Sequence, residues 1–279
     1  MSRKYPEVAI AYDFDGTLSP GNMQEYDFIP KLGMKKGDFW RDALQLAKDC
    51  DGDPILAYLN LMLDRANVNK VPIRRQDFVD YGKGVALFPG VDDWFDRIDA
   101  YGKQLGLSVK HYIVSSGIRE MVEGSSVAKK FERIFASAFA YDQHDVAYAP
   151  ALAINYTTKT QYLFRINKGS LDTWDNSVIN TYVQQEDRPV PFERMIYLGD
   201  GETDVPCMRL VKDQGGHSMA VYKPRKKGAK DLACRLMDEG RVNLVAQADY
   251  REGKTIDKLV KAVLDRIAAE VQLDKLGCR

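Results

Sequence analysis

Residues 8–18 read VAIAYDFDGTL, an apolar run that is followed at once by two carboxylates. Such a run, rich in strand formers, is typical of a strand buried on both faces of a parallel sheet. Side chains alternate along extended chain, so Asp13 and Asp15 point to one side while Phe14 turns into the core. Neighbouring carboxylates repel each other, and a bound cation relieves that repulsion. The run therefore predicts a strand leading into a cation-binding loop, with a solvated Asp-rich turn as the alternative.

Composition narrows the function classes. The 279 residues suffice for one large domain or two modest ones. The 40 acidic and 40 basic residues cancel, so we expect neither nucleic acid nor a membrane as partner. No apolar run approaches the roughly 20 residues of a membrane span, and residues 1–7 are too polar for a signal peptide. Four scattered cysteines fit a reducing compartment and argue against a zinc site. We therefore expect a cytoplasmic protein of unassigned oligomeric state.

The spacing of hydrophobic residues predicts that the chain forms two domains. Residues 19–87 are mainly helical and are broken by Gly, Pro and Asp, which predicts a small helical cap domain. The core domain, residues 1–18 and 88–279, alternates short apolar strands with helices. That alternation predicts an α/β fold, a Rossmann-like doubly wound parallel sheet with helices on both faces.

Individual elements of the core are predicted as follows. Strands are expected at 109–114, 134–141, 151–156, 162–166, 195–198 and 219–222, some of them paired as a hairpin. Helices are expected at 91–101, 170–185 and 256–271. The basic run at 223–227 is interpreted as a solvated loop, with phosphate contact as the alternative.

Polar clusters directly follow three of the predicted strands. In an open parallel sheet the carboxyl ends of the strands share one edge, where the ligand crevice forms, so distant residues converge there. Carboxylates without a nearby His or Cys form a hard oxygen site that suits magnesium and, through it, a phosphate group. We expect this site to contain the pairs Asp13 and Asp15, Ser115 and Ser116, and Asp200 and Asp204.

A phosphoryl group in transfer needs oriented donors and positive charge. Ser115, with the amides of Ser116 and Gly117, supplies donors at the start of a predicted helix. Lys168 is the candidate cation, because Asn167 and Gly169 place it in a predicted turn ahead of a helix. An ordinary surface lysine is the alternative interpretation of Lys168.

Four motifs, in chain order, resemble those of the haloacid dehalogenase superfamily. Residues 13–18 resemble the first motif and 113–117 the second, Lys168 fits the third, and 199–204 fit the fourth. The helical insert between the first two motifs is similar to the small cap of the phosphoserine phosphatase branch. The resemblance implies a magnesium-dependent phosphatase that acts on a small phosphorylated metabolite.

The resemblance also implies roles for the matching residues. Asp13 would attack phosphorus and form an aspartyl-phosphate. Asp15 would protonate the leaving alkoxide and then take a proton from the hydrolytic water. Ser115, Ser116 and Lys168 would bind the phosphate. The magnesium ion would be held by Asp13, the backbone carbonyl of Asp15 and Asp200, with Asp204 either next to the ion or behind its direct ligands.

Two positions depart from the phosphoserine phosphatase pattern. Asn22 stands where those enzymes usually carry a glutamate, and Thr203 stands where the fourth motif usually has asparagine. The leaving group is therefore left open. Two alternatives remain: a phosphotransferase or phosphonate-cleaving relative, the latter with Lys31, Lys35 or Lys36 as an imine-forming lysine, and a catalytically silent binding scaffold.

Overall fold

A computed structural model describes residues 5–177 and 179–277. Within these residues lies a seven-stranded sheet in the order β4-β3-β2-β1-β5-β6-β7. All neighbouring strands are parallel except β3 and β4, which form the antiparallel hairpin. The strands are β1 (Glu7–Tyr12), β2 (Ser108–Ile118), β3 (Arg133–Tyr141), β4 (Ala147–Leu152), β5 (Met195–Gly199), β6 (His217–Tyr222) and β7 (Leu244–Gln247).

Helices cover both faces of the sheet, which confirms the doubly wound α/β prediction. Val8 and Ile10 of β1 point into one apolar cluster and Ala9 and Ala11 into another, as strand alternation requires. The α-helices are α1 (Phe28–Lys31), α2 (Lys36–Asp49), α3 (Pro54–Asn69), α4 (Arg75–Lys83), α5 (Val91–Gln104), α6 (Arg119–Gly124), α7 (Lys159–Lys168), α8 (Val205–Asp213), α9 (Ala229–Asp238) and α10 (Thr255–Leu276). Helices α5 and α10 pack on the first face, and α7, α8 and α9 pack on the second.

The cap segment, residues 19–87, contains α1 to α4. Its aromatic side chains join the apolar cluster that also covers β1 and β2. Phe78 of α4, for example, stacks on Phe139 of β3 with ring centroids 5.0 Å apart. The division of the chain into a core domain and a separate cap domain stays a prediction. None of the helices in the described residues combines the length and apolar character that a membrane crossing requires.

The predictions for residues 151–185 are largely wrong. Residues 162–166, predicted as a strand, lie inside α7, and the strand predicted at 151–156 lies earlier, at β4. The helix predicted at 170–185 is absent from residues 170–177 and 179–184, and Val178 lies outside the described residues. Instead the buried Arg165 guanidinium binds the carbonyls of Asp172, Thr173 and Asp175, so the loop wraps around that side chain.

Candidate active site

The carboxyl ends of β1, β2 and β5 open into one cavity of about 510 Å³, called here the site cavity. These strands are neighbours in the sheet, so the loops that follow them lie side by side. The cavity lining brings together five predicted residues and adds one that was not predicted, namely Asp13, Asp15, Ser115, Ser116, Asp200 and Lys159. A larger groove of about 740 Å³, between α10 and the turns at 185–194, contains none of the predicted residues.

Asp13 is held at the end of β1. Its backbone amide donates to the Leu198 carbonyl of β5 at 2.9 Å, and its side chain is only 8% exposed. The Lys159 ammonium lies 2.9 Å from Asp13 Oδ1. Burial and the negative charge of Asp204 raise the pKa of Asp13 to about 6, against the opposing effect of Lys159. The Asp13 carboxylate is thus buried, fixed in place and exposed to the cavity on one side.

Lys159 is the central cation of the site. It begins α7 and is 1% exposed, and its ammonium contacts Asp13 and Asp204 at once, with 2.8 Å to Asp204 Oδ1. Burial alone would lower the pKa of Lys159, but the two carboxylates outweigh it and raise that pKa above its usual range. Lys159 therefore stays charged.

Asp204 is fully engaged by the protein. Its Oδ1 accepts from Lys159 and from the Tyr197 hydroxyl at 2.7 Å, and its Oδ2 accepts from the Asp200 amide at 3.1 Å. Its carboxylate also fills the space that a Cβ on Gly199 would need, because that atom would lie 2.5 Å from Asp204 Oδ2. Asp204 holds Lys159 and the Asp200 loop in position.

Asp15 faces the cavity next to the start of the cap segment. Its Oδ1 accepts the Met23 amide at 2.9 Å. Burial, together with the charge of Asp13, raises the pKa of Asp15 well above its usual value. A protonated Asp15 beside an ionised Asp13 is the arrangement that general acid catalysis needs.

Asp200 completes an acidic cluster. One oxygen each from Asp13, Asp200 and Asp204 lies within 4.8 Å of the others. Burial and the charges of Asp204 and Asp13 raise the pKa of Asp200 to about 8. Gly16, in the loop after β1, has a φ of +79°, which glycine adopts without strain. The absence of a Cβ at Gly16 also lets this loop approach the Asp200 carboxylate, because a Cβ there would lie 2.0 Å from Asp200 Oδ2.

The donor chemistry of this cluster fits a magnesium ion. Carboxylate oxygens are the ligands that this hard cation prefers. A divalent charge would also offset the repulsion that contributes to the raised pKa values of Asp13 and Asp200. The Asp15 carboxylate does not join the cluster, and a ligand role for its backbone carbonyl stays a prediction.

Ser115 and Ser116 line the same cavity as Asp13, where β2 leaves its regular pairing with β3. The Gly117 amide donates to Ser115 Oγ at 3.1 Å. Since that bond uses a lone pair of the hydroxyl, the Ser115 hydrogen remains free to be donated to an anion.

The cap segment forms one wall of the site cavity. Glu25 accepts from Asn22 and from the Trp40 indole, each at 2.9 Å, and it pairs with Lys36 at 3.4 Å. Lys31 instead pairs with Asp27 and does not line the cavity. The rest of the wall and rim consists of Pro20, Gly21, Gln24, Ile55, Tyr58, Thr203, Lys223 and Lys226.

The sequence that forms this site matches a known protein family. A sequence model described as haloacid dehalogenase-like hydrolase matches residues 10–209, well over half of the chain. The chain belongs to the haloacid dehalogenase-like hydrolase family.

One relative in sequence and two solved structures, which agree with this chain in fold, are similar to it. An uncharacterized protein of Borreliella burgdorferi is 28% identical over 97% of this chain and 100% of its own length. A substrate-bound phosphoserine phosphatase structure is 12% identical, with a TM-score of 0.57 over 93% of this chain and 99% of that one. A HAD family hydrolase of Salmonella enterica serovar Typhi is 18% identical, with a TM-score of 0.54 over 79% of this chain. The chain spans 64% of the length of that hydrolase.

The lysine that lies next to Asp13 is not Lys168, the one predicted from the third motif of the family. The structure corrects the prediction of Lys168, which lies at the opposite end of α7 from Lys159. The Lys168 ammonium donates to the carbonyls of Ile179 and Thr181 at 2.7 and 2.8 Å, and it does not line the site cavity. Lys159 occupies the position next to Asp13 that was expected of Lys168.

Proposed function

We propose that this protein is a magnesium-dependent phosphatase that hydrolyses a small phosphomonoester through an aspartyl-phosphate. The observation that carries the proposal is the arrangement around Asp13: a buried carboxylate, 2.9 Å from the Lys159 ammonium, in a cavity that also holds Asp15, Ser115 and Asp200. Phosphoryl transfer requires a nucleophile, an acid and positive charge at one place.

The first half of the proposed reaction transfers the phosphoryl group to Asp13. An Asp13 oxygen forms a bond to phosphorus while the ester P–O bond breaks, and the leaving oxygen takes the proton of Asp15. The raised pKa of Asp15 supports this assignment, because a carboxyl must hold its proton at neutral pH to act as an acid.

The second half releases phosphate. Asp15, now ionised, takes a proton from a water molecule whose oxygen bonds to phosphorus, and the bond from phosphorus to Asp13 breaks. Inorganic phosphate leaves, and both carboxyls regain their starting protonation states.

Residues that line the cavity would stabilise the negative charge of the transferring phosphoryl group. The Ser115 hydroxyl and the Ser116 amide would donate to the phosphoryl oxygens, and Lys159 would offset the repulsion between the phosphate and Asp13. Asp13 and Asp200, with Asp204 behind them, would hold the magnesium ion, which when bound neutralises charge on the transferring group.

Aryl phosphate hydrolysis tests the proposal, with Asp13→Asn, Asp15→Asn and, as a control, the exposed Asp265→Asn on α10. We expect magnesium-dependent turnover that a chelator removes. Asp13→Asn should lose about 10⁴-fold or more in kcat, because it removes the nucleophile. Asp15→Asn should give a burst matching the enzyme concentration and then stall, since an aryl leaving group needs little acid but phosphoenzyme hydrolysis needs a base.

Intact-protein mass measurement after the burst should detect one added phosphoryl group on Asp15→Asn and none on Asp13→Asn. Wild-type turnover in Asp13→Asn would contradict the aspartyl-phosphate. Absence of turnover across a panel of phosphomonoesters with magnesium would contradict the phosphatase and favour the binding scaffold.

A further inference from the structure

The Ser116 carbonyl is held by two side chains from different parts of the fold. The ladder between β2 and β3 pairs Ser115 with Ala136 and then Ile118 with Ser137, so its register shifts at Ser116. The Tyr58 hydroxyl donates to the Ser116 carbonyl at 2.5 Å, and Ser137 Oγ donates to it at 3.1 Å. A carbonyl displaced from the ladder by a bulge is thereby satisfied.

The same peptide unit orients the Ser115 hydroxyl. The Ser116 carbonyl and the Gly117 amide belong to one planar peptide, so fixing the carbonyl fixes the direction of the N–H. That N–H donates to Ser115 Oγ at 3.1 Å. A continuous chain of contacts therefore runs from Tyr58, through one peptide, to the hydroxyl of Ser115, which lines the cavity together with Asp13.

The two donors have different origins. Ser137 lies on β3, within the sheet, and Ile154 donates its amide to Ser137 Oγ at 3.0 Å. Tyr58 lies on α3 in the cap segment, is 4% exposed and packs edge-on against Trp40 with centroids 5.6 Å apart. The sheet thus supplies one donor, and α3 of the cap segment supplies the other.

We propose that Tyr58 is a positioning residue, which makes contact between the cap segment and the core a condition for a correctly oriented phosphate-binding loop. The proposal rests on the proposed phosphatase function. In this position α3 serves two purposes: its residues Ile55 and Tyr58 line the cavity, and the Tyr58 hydroxyl sets the Ser115 hydroxyl through the Ser116–Gly117 peptide.

A matched pair of substitutions tests this proposal. Tyr58→Phe removes the hydroxyl that reaches Ser116. Tyr81→Phe removes a comparable one, because Tyr81 is also 4% exposed in the cap segment and donates to the Pro72 carbonyl at 2.8 Å, away from the cavity. Both variants lose one hydrogen bond to a backbone carbonyl, so both should lower Tm by a similar amount.

The two variants should differ in phosphate recognition. We expect Tyr58→Phe to lower kcat/KM for an aryl phosphate about tenfold and to weaken inhibition by orthovanadate by a similar factor, the effect of one well-placed hydrogen bond. Tyr81→Phe should stay within about twofold of wild type in both measurements. Equal effects of the two variants on kcat/KM and on vanadate inhibition would overturn the proposal.

A second variant extends the test to the other donor of the same carbonyl. Ser137→Ala removes the other donor to the same carbonyl, and the Tyr58→Phe/Ser137→Ala double variant completes a cycle. If Tyr58 and Ser137 both act through the Ser116–Gly117 peptide, their losses of vanadate affinity should not add up in the double variant. Strictly additive losses would contradict the proposal. If wild type and Tyr81→Phe both hydrolyse phosphomonoesters and Tyr58→Phe matches them, only this inference fails. If none of them does, the proposed function fails.

Discussion

At the scale of single residues, Lys159 matters most because one ammonium contacts two carboxylates. It lies 2.9 Å from Asp13 and 2.8 Å from Asp204, and all three side chains are nearly excluded from solvent. Removing one member of such a buried group leaves the other charges unpaired, which costs more than the pair contributes. Lys159 is therefore expected to serve both stability and catalysis.

We predict that Lys159→Met lowers kcat/KM for an aryl phosphate about 10²–10³-fold, as expected for loss of a cation next to the transferring group. It should also lower the free energy of unfolding by about 3–5 kcal/mol, since Asp13 and Asp204 lose their buried partner. Steady-state kinetics and denaturant titration measure the two effects. Lys168→Met is the control: it removes an equal charge from the same helix and should keep activity within about twofold. A larger activity loss in Lys168→Met than in Lys159→Met would reverse the assignment.

At the scale of secondary-structure elements, most strands of the sheet could be predicted from the sequence, whereas helix α7 could not. Strands β1, β2, β5 and β6 are largely buried, so each contains a short apolar run that is followed by a recognisable polar loop. The same pattern predicted that Asp13, Ser115 and Asp200 meet. Strand β7 was missed because it is only four residues long and partly exposed.

Lys159 was missed for a physical reason. It meets Asp204 across 45 positions of sequence, solely because α7 packs on the sheet. The short apolar run at 162–166 fits a strand or a buried helix equally well by periodicity. A usable signal exists nonetheless: Lys159, Tyr162, Leu163 and Ile166 are all buried at helical spacing, which places the lysine on the face that contacts the core.

The packing of α10 against α5 gives a prediction about acid stability. Asp257 of α10 is 1% exposed, pairs with Arg97 of α5 at 3.0 Å and accepts the Gly253 amide at 2.8 Å. Burial by itself would raise the pKa of Asp257, but the bonds from Gly253, Lys261 and Arg97 lower it below the usual value. A lowered folded-state pKa stabilises the fold above the unfolded pKa of about 3.9, and this contribution is lost as pH falls through the folded value.

We therefore predict that Asp257→Asn lowers the free energy of unfolding at pH 7 by about 1–3 kcal/mol, the range for hydrogen bonds to a charged group. The difference between wild type and the variant should shrink below about pH 4, where Asp257 becomes protonated in the wild type as well. Denaturant titrations from pH 7 to pH 3 measure this difference. A difference that stays constant over the whole range would contradict a charge-based contribution.

At the scale of the whole molecule, the charge is balanced overall but not at the mouth of the site cavity. The chain carries 40 acidic and 40 basic residues, so no net field draws a phosphate dianion toward it. The cavity rim nevertheless includes Lys36, Lys223 and Lys226. Lys223 and Lys226 belong to the loop after β6, and Lys223 donates to the Pro20 carbonyl at 2.7 Å, joining that loop to the start of the cap segment.

Lys226→Gln and Lys227→Gln separate the local effect of rim charge from the effect of net charge. Both residues are exposed and adjacent, each substitution removes one positive charge, and only Lys226 lines the cavity. Its charge also opposes the rise in the pKa of Asp200, which places it within electrostatic reach of the acidic cluster. We predict that Lys226→Gln lowers kcat/KM for an aryl phosphate several-fold at low ionic strength, and that the loss fades as added salt shortens the screening length to about 10 Å at 0.1 M and about 3 Å at 1 M. Lys227→Gln should show a smaller loss than Lys226→Gln at low ionic strength, so equal losses of the two variants there would mean that net charge, and not the rim of this cavity, attracts the substrate.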